Sequence, residues 1–138
     1  MSQLLLKIVT PDGIVYEDSV DEVILPTSTG QIAVLPHHIP MISRLKAGEL
    51  VIKKADGEHG IAVSTGFLEM RSTNELYVVA DTAERAEDID IERAEKAHAR
   101  AQELLAQQHD IEDIEFARVQ AEIERALTRL GVARKYKR

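Results

Sequence analysis

The sequence predicts an α+β chain: an antiparallel β-sandwich over residues 1–84, followed by an antiparallel two-helix hairpin over residues 85–138. Two observations carry this. The first part is rich in β-branched residues and is broken every several residues by Gly or Pro turn signals, the pattern of many short strands. Past the stretch from Glu84 to Arg100 the apolar period changes from about 2 to about 3.6 residues, and no Pro follows.

Taken in order, Leu4 to Thr10 is the first strand, and Pro11-Asp12-Gly13 is a turn in which Pro presets φ and Gly takes a positive φ. Ile14 to Glu17 and Val20 to Leu25 are short strands, the second ended by Pro26. Thr27 to Gly30 turns into a strand from Gln31 to Leu35, which Pro36 stops. His37 to Pro40 is a loop, because a residue before Pro is pushed away from helix. Met41 to Leu45, Glu49 to Lys54 and His59 to Thr65 continue the series, the last two joined by the hairpin signal Asp56-Gly57. Phe67 to Arg71 precedes the turn Ser72-Thr73-Asn74, and Leu76 to Ala80 reads as a central strand. Several strands look apolar on both faces, which favours two sheets around one core.

Asp88 or Asp90 caps the first helix by accepting its free N–H groups. Its inner face repeats Ile91, Ala94, Ala97, Ala101, Leu104 and Leu105. Gln107 to Asp110 breaks the pattern, with Asp110 as the next cap and Asp113 in the next first turn. The second helix repeats Phe116, Val119, Ile123, Ala126, Leu127 and Leu130. So short a link makes the helices antiparallel neighbours. Alanine at the seam allows close approach but buries little area, so the hairpin is expected to be weakly held.

Composition narrows the function. Aromatics are only 4% and Trp is absent, so the core is built from Val, Ile, Leu and Ala. A formal net charge of -7 argues against nucleic acid as the main partner. The absence of Cys excludes disulfides, thiolate metal sites and Cys nucleophiles. No segment approaches the ~20 apolar residues of a membrane helix, so membrane association would come through a partner. There is no phosphate-cradling Gly-x-x-x-x-Gly-Lys-Ser/Thr loop, no Gly-x-Ser-x-Gly elbow and no poised carboxylate pair. His37, His38 and His59 read as surface residues rather than metal ligands. Catalysis by this chain alone is not expected.

The arginines say more. Arg93 and Arg100 lie two turns apart on one helix, and Arg125 and Arg129 one turn apart on the other. Antiparallel folding would bring the four guanidiniums together near Asp90, the arrangement a polyphosphate needs, because each planar fork grips two oxygens. From spacing alone the plainer alternative is favoured: a solvated face laced with pairs such as Glu92 with Lys96 and Glu122 with Arg125.

The run Gly30-Gln31-Ile32-Ala33-Val34-Leu35-Pro36-His37-His38-Ile39-Pro40 resembles the Gly-x-Ile-Gly-x-Leu-Pro-x-His-x-Pro signature of the epsilon subunit of bacterial F-type ATP synthases, with Ala33 where that family usually has Gly. Val78 to Glu84 resembles its last strand and exit, and the likeness spans essentially the whole chain. It implies a non-catalytic rotor subunit, peripheral on the cytoplasmic face of the bacterial membrane. The sandwich would contact the gamma subunit and the c-subunit ring, the latter through Gln31, Ile32 and His38. Gln31 stands where some members carry a carboxylate, which puts a charge-based ring contact in doubt. The hairpin would regulate the enzyme: compact, it permits rotation; extended along gamma, it reaches the alpha and beta subunits and blocks ATP hydrolysis. Arg118, Arg125 and the tail Arg134-Lys135-Tyr136-Lys137-Arg138 would then meet acidic residues of beta. Some members bind ATP as a regulatory ligand through an Ile/Leu-Asp-x-x-Arg-Ala motif, which Ile89, Asp90, Arg93 and Ala94 match. Glu84, Arg100, Arg125 and Arg129 fall on further positions implicated there. The resemblance therefore reverses the preference for a solvated face and implies an ATP site, with or without Mg. A purely structural coupling subunit that binds no nucleotide is the alternative.

Overall fold

A computed structural model describes residues 2–107 and 113–136. The predicted cap Asp110, the rest of the link after Gln107, the side chain of Asp113 and the tail residues Lys137 and Arg138 fall outside the description. Ten strands come first: β1 (Leu4–Thr10), β2 (Gly13–Val20), β3 (Glu22–Thr27), β4 (Gly30–Val34), β5 (Met41–Leu45), β6 (Gly48–Lys54), β7 (Gly57–Val63), β8 (Gly66–Met70), β9 (Glu75–Ala80) and β10 (Ala83–Arg85). A short 3-10 turn, Ala86–Asp88, leads to α1 (Ile91–Gln107) and α2 (Asp113–Tyr136).

The strands form one hydrogen-bonded path, β10-β7-β6-β3-β5-β8-β9-β1-β2, with β4 paired to β3 alone. The path wraps on itself, so alternate residues of distant strands share a core: Leu4, Leu6 and Ile8 meet Leu25, Leu50, Ile52, Leu68 and Leu76. Every strand pair is antiparallel except β1 with β9, which run parallel. Gly13, Gly30 and Gly57 have φ near +125°, which keeps the three tight turns that precede β2, β4 and β7 unstrained.

Several expectations need adjustment. Val20 ends β2 rather than opening the next strand, and Asp21 separates the two. Pro26 does not end β3. It lies where β3 changes partner from β6, paired at Glu22 to Ile24, to β5, paired at Thr27. Its carbonyl accepts the Lys46 N–H at 2.9 Å. β9 is interior but one-sided, with Val79 52% exposed. β6 and β7 are buried on both faces: in β6 Leu50, Val51 and Ile52 are all buried, and in β7 Ile61 and Val63 enter the sandwich core while Ala62 faces the helices.

The path is closed by side chains. The β1–β2 ladder slips between Ile8–Tyr16 and Val9–Ile14, which makes Val15 a bulge residue. Arg85 of β10 donates from Nε and Nη2 to the Val15 carbonyl, at 3.1 and 2.8 Å, and its guanidinium lies 5.1 Å from the Tyr16 ring centroid. Lys54 of β6 donates to Asp18 of β2 at 2.6 Å.

The hairpin is docked. Val132 and Ala133 of α2 are buried with Ala62, Ala86 and Ile89, and Ile91 and Tyr136 pack beside them. Between the helices, Ala94 and Ala101 of α1 and Ala126 and Leu130 of α2 are buried. Leu104, Phe116 and Leu127, predicted on the inner faces, are instead 36%, 50% and 51% exposed. Leu104 and Phe116 lie at the link end of the hairpin, away from the docked end at Val132 to Tyr136, and Leu127 is off the face of α2 that meets the sandwich.

Candidate functional site

Where α2 crosses the β7–β10 edge it leaves a cleft of about 350 Å³. Its apolar wall is Ala47, Ala62, Val63 and Ala83, and Ser64, Thr65 and Thr82 add hydroxyls. Glu84 enters from β10; Glu124, Arg125, Thr128 and Arg129 enter from successive turns of α2. The volume is at the lower end of the range for small-molecule sites. Arg129 and Glu84 form a two-point ion pair, Nε to Oε2 at 2.7 Å and Nη2 to Oε1 at 3.2 Å. Both are partly buried, so this fork is better shielded than a surface pair. Ser64 Oγ accepts the Thr82 N–H at 2.7 Å and holds the strand exit in place. Arg125 is exposed and makes no ion pair among the described residues.

The other predicted nucleotide residues lie elsewhere. Asp90 caps α1: its Oδ1 accepts the Arg93 N–H at 3.1 Å, and its carbonyl accepts the Ala94 N–H at 3.0 Å. Ile89 and Ala94 are fully buried and serve packing. Arg93 is exposed at the start of α1. Arg100 lines a second cleft between the helices, with Leu104, Glu115, Arg118, Val119 and Glu122. The four guanidiniums therefore do not share one cleft near Asp90. Arg125 and Arg129 share the first cleft, Arg100 lines the second, and Arg93 lines neither. The residue spacing identified a common face on each helix but not which wall each face meets.

Of the two surface pairs suggested by spacing, Glu92 with Lys96 is present at 3.2 Å, while Glu122 pairs with Arg118 at 3.8 Å instead of Arg125. The tail cations are engaged within the chain: Arg134 with Glu95 at 2.9 Å and Lys135 with Glu49 at 3.1 Å. In the loop signature, Gln31 is exposed, and Ile32 and His38 are half-buried. His37 adopts φ 63°, and its N–H donates to Asn74 Oδ1 at 2.7 Å. Ile39 and Ile42 beside it are 74% and 72% exposed.

Two groups went unseen in the sequence. Tyr136 donates to Glu49 at 2.6 Å across a separation of 87 residues. Arg85 closes the sheet from a strand with no apolar alternation.

A family model for the β-sandwich domain of the ATP synthase Delta/Epsilon chain matches residues 3–86. A second, for the long alpha-helix domain of the same chain, matches residues 87–134. The chain belongs to the ATP synthase delta/epsilon family. It is a non-catalytic chain of that enzyme. This delta/epsilon chain is 42% identical to the ATP synthase epsilon chain of Levilactobacillus brevis over 134 residues, 96% of each chain. It is 48% identical to that of Nitratidesulfovibrio vulgaris strain DP4 over 127 residues, 92% of each. Its fold is shared with a chain of the Euglena gracilis mitochondrial ATP synthase structure that includes OSCP, F1 and the c-ring. The TM-score there is 0.74 at 24% identity, over 99% of this chain and 83% of the other. A chain from the Tetrahymena thermophila mitochondrial central stalk and c-ring gives 0.65 at 10% identity, over 96% and 97%.

Proposed function

We propose that this delta/epsilon chain is a rotor subunit of the central stalk, with its sandwich seated on gamma and the c-subunit ring and its hairpin acting as a brake on ATP hydrolysis that nucleotide holds off. The observation that carries the regulatory part is the docked hairpin with a cleft at its seam, lined by Arg125 and Arg129 together with Glu84 and Glu124. Gln31, Ile32 and His38, beside exposed Ile39 and Ile42, suit a ring- and gamma-facing surface. No described helix is long and apolar enough to cross a membrane, which suits peripheral attachment on the cytoplasmic face through the complex.

The donor chemistry of the cleft fits ATP as a regulatory ligand. Arg125 offers an unpaired guanidinium, Arg129 a fork held in place by Glu84, and Ser64, Thr65 and Thr82 hydroxyls, beside an apolar wall for a base. Arg93 and Arg100 lie outside this cleft, while Asp90, Ile89 and Ala94 fix the start of α1. Because the cleft has walls from both the sandwich and α2, a ligand there favours the docked state by RT ln(1 + [L]/Kd), about 1.4 kcal/mol at tenfold excess. Undocking would free Lys135 from Glu49, and separation of the two helices would free Arg134 from Glu95, for acidic surfaces of beta, with Arg118 alongside.

Titration calorimetry with ATP, with and without Mg, tests the site. The wild type is expected to bind, and Arg125→Ala and Arg129→Ala to bind more weakly; equal affinities in all three would remove the site. In the assembled enzyme at low ATP, deleting the hairpin is expected to raise hydrolysis. A purely structural coupling subunit is the second reading. It is favoured by one observation: Arg129 is already satisfied by Glu84 without any nucleotide.

A further inference from the structure

The last turn of α2 meets the sandwich through Tyr136, with Ala133 and Lys135 beside it. The Tyr136 ring lies over Gly60 of β7, where any Cβ would fall inside the ring's contact distance. The phenol hydroxyl donates to Glu49 Oε1 at 2.6 Å, and Lys135 Nζ donates to the same oxygen at 3.1 Å. Glu49 pairs across the β6–β7 ladder with Ala62, and Ala62 packs with Val132 and Ala133. Arg129, Val132, Ala133 and Tyr136 are spaced i, i+3, i+4 and i+7, so one face of α2 carries these contacts to the sandwich, with Lys135 beside it. Apart from Ile89 and Ile91, the other members of this contact are Ala and Val, which bury little area. Tyr136 is its largest side chain. Burial, and then the bond to Glu49, push the phenol above its ordinary pKa, so it keeps its proton and stays a donor at neutral pH.

We propose that Tyr136 and Gly60 form a latch, an aromatic ring seated in a notch that lacks a side chain, which sets how often the hairpin leaves the sandwich. The latch is defined on the nucleotide-free chain. It goes beyond the ATP reading and survives if that reading fails.

The two residues make opposite demands on local propensity, which sharpens the test. Replacing Gly by Ala inside a strand is locally neutral or favourable. Loss of helix docking on Gly60→Ala would therefore come from the ring and not from β7. Amide hydrogen exchange on the full chain without nucleotide compares wild type, Gly60→Ala, Tyr136→Ala and the double variant. Each single variant is expected to lose about tenfold or more of the protection over the second half of α2, while β1 and β9 keep theirs. Tyr136→Phe, which keeps the ring and loses the Glu49 bond, should lie between. In the Tyr136→Ala background, Gly60→Ala should cost nothing further, because no ring remains to displace. An α2 as protected in Gly60→Ala as in wild type would overturn the latch. So would a Gly60→Ala penalty that persists after the ring is gone. If Gly60→Ala disturbs the sandwich itself, recovery in the double variant supports the latch and failure to recover overturns it.

Discussion

Single residues close this sandwich. The bulge at Val15 leaves a carbonyl outside the β1–β2 ladder, and Arg85 takes it with two N–H groups while stacking on Tyr16. An unmet backbone acceptor is costly, and hydrogen bonds from a charged donor are among the stronger ones. Arg85→Ala is therefore expected to lower stability by about 1.5–3 kcal/mol in urea unfolding, more than removal of a surface cation would. Asp18 and Lys54 join β2 to β6 at the same edge. The Lys54 hydrogen bond, followed by the Ser19 N–H, holds the Asp18 carboxyl below its ordinary 3.8. The bond to Asp18 holds Lys54 above 10.5. The pair thus contributes stability above pH 3.8, where the unfolded acid is ionised, and loses it as pH falls through the lower folded value. It loses it again as pH rises through the raised Lys54 value. In thermal melts, the gap between wild type and Asp18→Asn is expected to be flat from about pH 5 to about pH 9 and to close below pH 3.8. Both groups are solvent-facing, so the gap is small.

At the scale of elements, α2 does two jobs along its length. Its middle packs on α1 through Ala126 and Leu130, and its end docks on β7 through Val132, Ala133 and Tyr136. Gly131 stands between these stretches, exposed, with open space where a Cβ would go. Nothing in the packing requires glycine there, and glycine in a helix interior costs about 0.5–1 kcal/mol relative to Ala. Gly131→Ala should stabilise the docked hairpin by about that amount, read as slower amide exchange along α2 with no change in the sandwich strands. Beside this packing, two ion pairs tie hairpin to sandwich among the described residues, Arg129 to Glu84 and Lys135 to Glu49. Lys135 is exposed and its pair is screened readily, because the Debye length shrinks from about 10 Å at 0.1 M salt to about 3 Å at 1 M. Raising salt is expected to speed exchange in the last turns of α2 before it affects the shielded Arg129 fork.

On the scale of the whole molecule, two cores of unequal strength are stacked through β7. The sandwich core holds large aliphatic side chains from most strands, whereas the helix-facing cluster rests on Ala62, Ala86, Ile89, Val132 and Ala133. Deleting residues 91–138 should leave a sandwich that still unfolds cooperatively in thermal circular dichroism, because the helices cover the outer faces of β6 and β7 and the strand exit, while the sandwich core lies on the other side. Collapse of that transition would mean that the helices complete the sandwich and do not merely rest on it. The unequal cores suit a part that opens on a part that stays closed.

Strand positions such as Leu4–Thr10 and Met41–Leu45 were legible to the residue, because Gly, Pro and alternating apolar residues act within a few positions of themselves. The change of period into α1 was legible for the same reason, and the cap was narrowed to Asp88 or Asp90, of which Asp90 makes the bond. β10 was not: Ala83-Glu84-Arg85 has no strand pattern and is extended only because the edge of β7 is there to pair with it. Nor was the parallel β1–β9 pairing, or the exposure of Phe116 and Leu127, since each depends on what lies beside an element in space. The sequence by itself determined the kind and order of β1 to β9 and of the two helices, the family resemblance, and which residues carry positive charge on each helix. Only the tertiary structure decided that Arg129 is matched to Glu84, that Arg100 is turned into a different cleft, and that Tyr136 seats over Gly60. The physical reason is range. Propensity and periodicity act over a few residues, but the partner of a guanidinium or an aromatic ring is set by how distant strands and helices come to rest against each other.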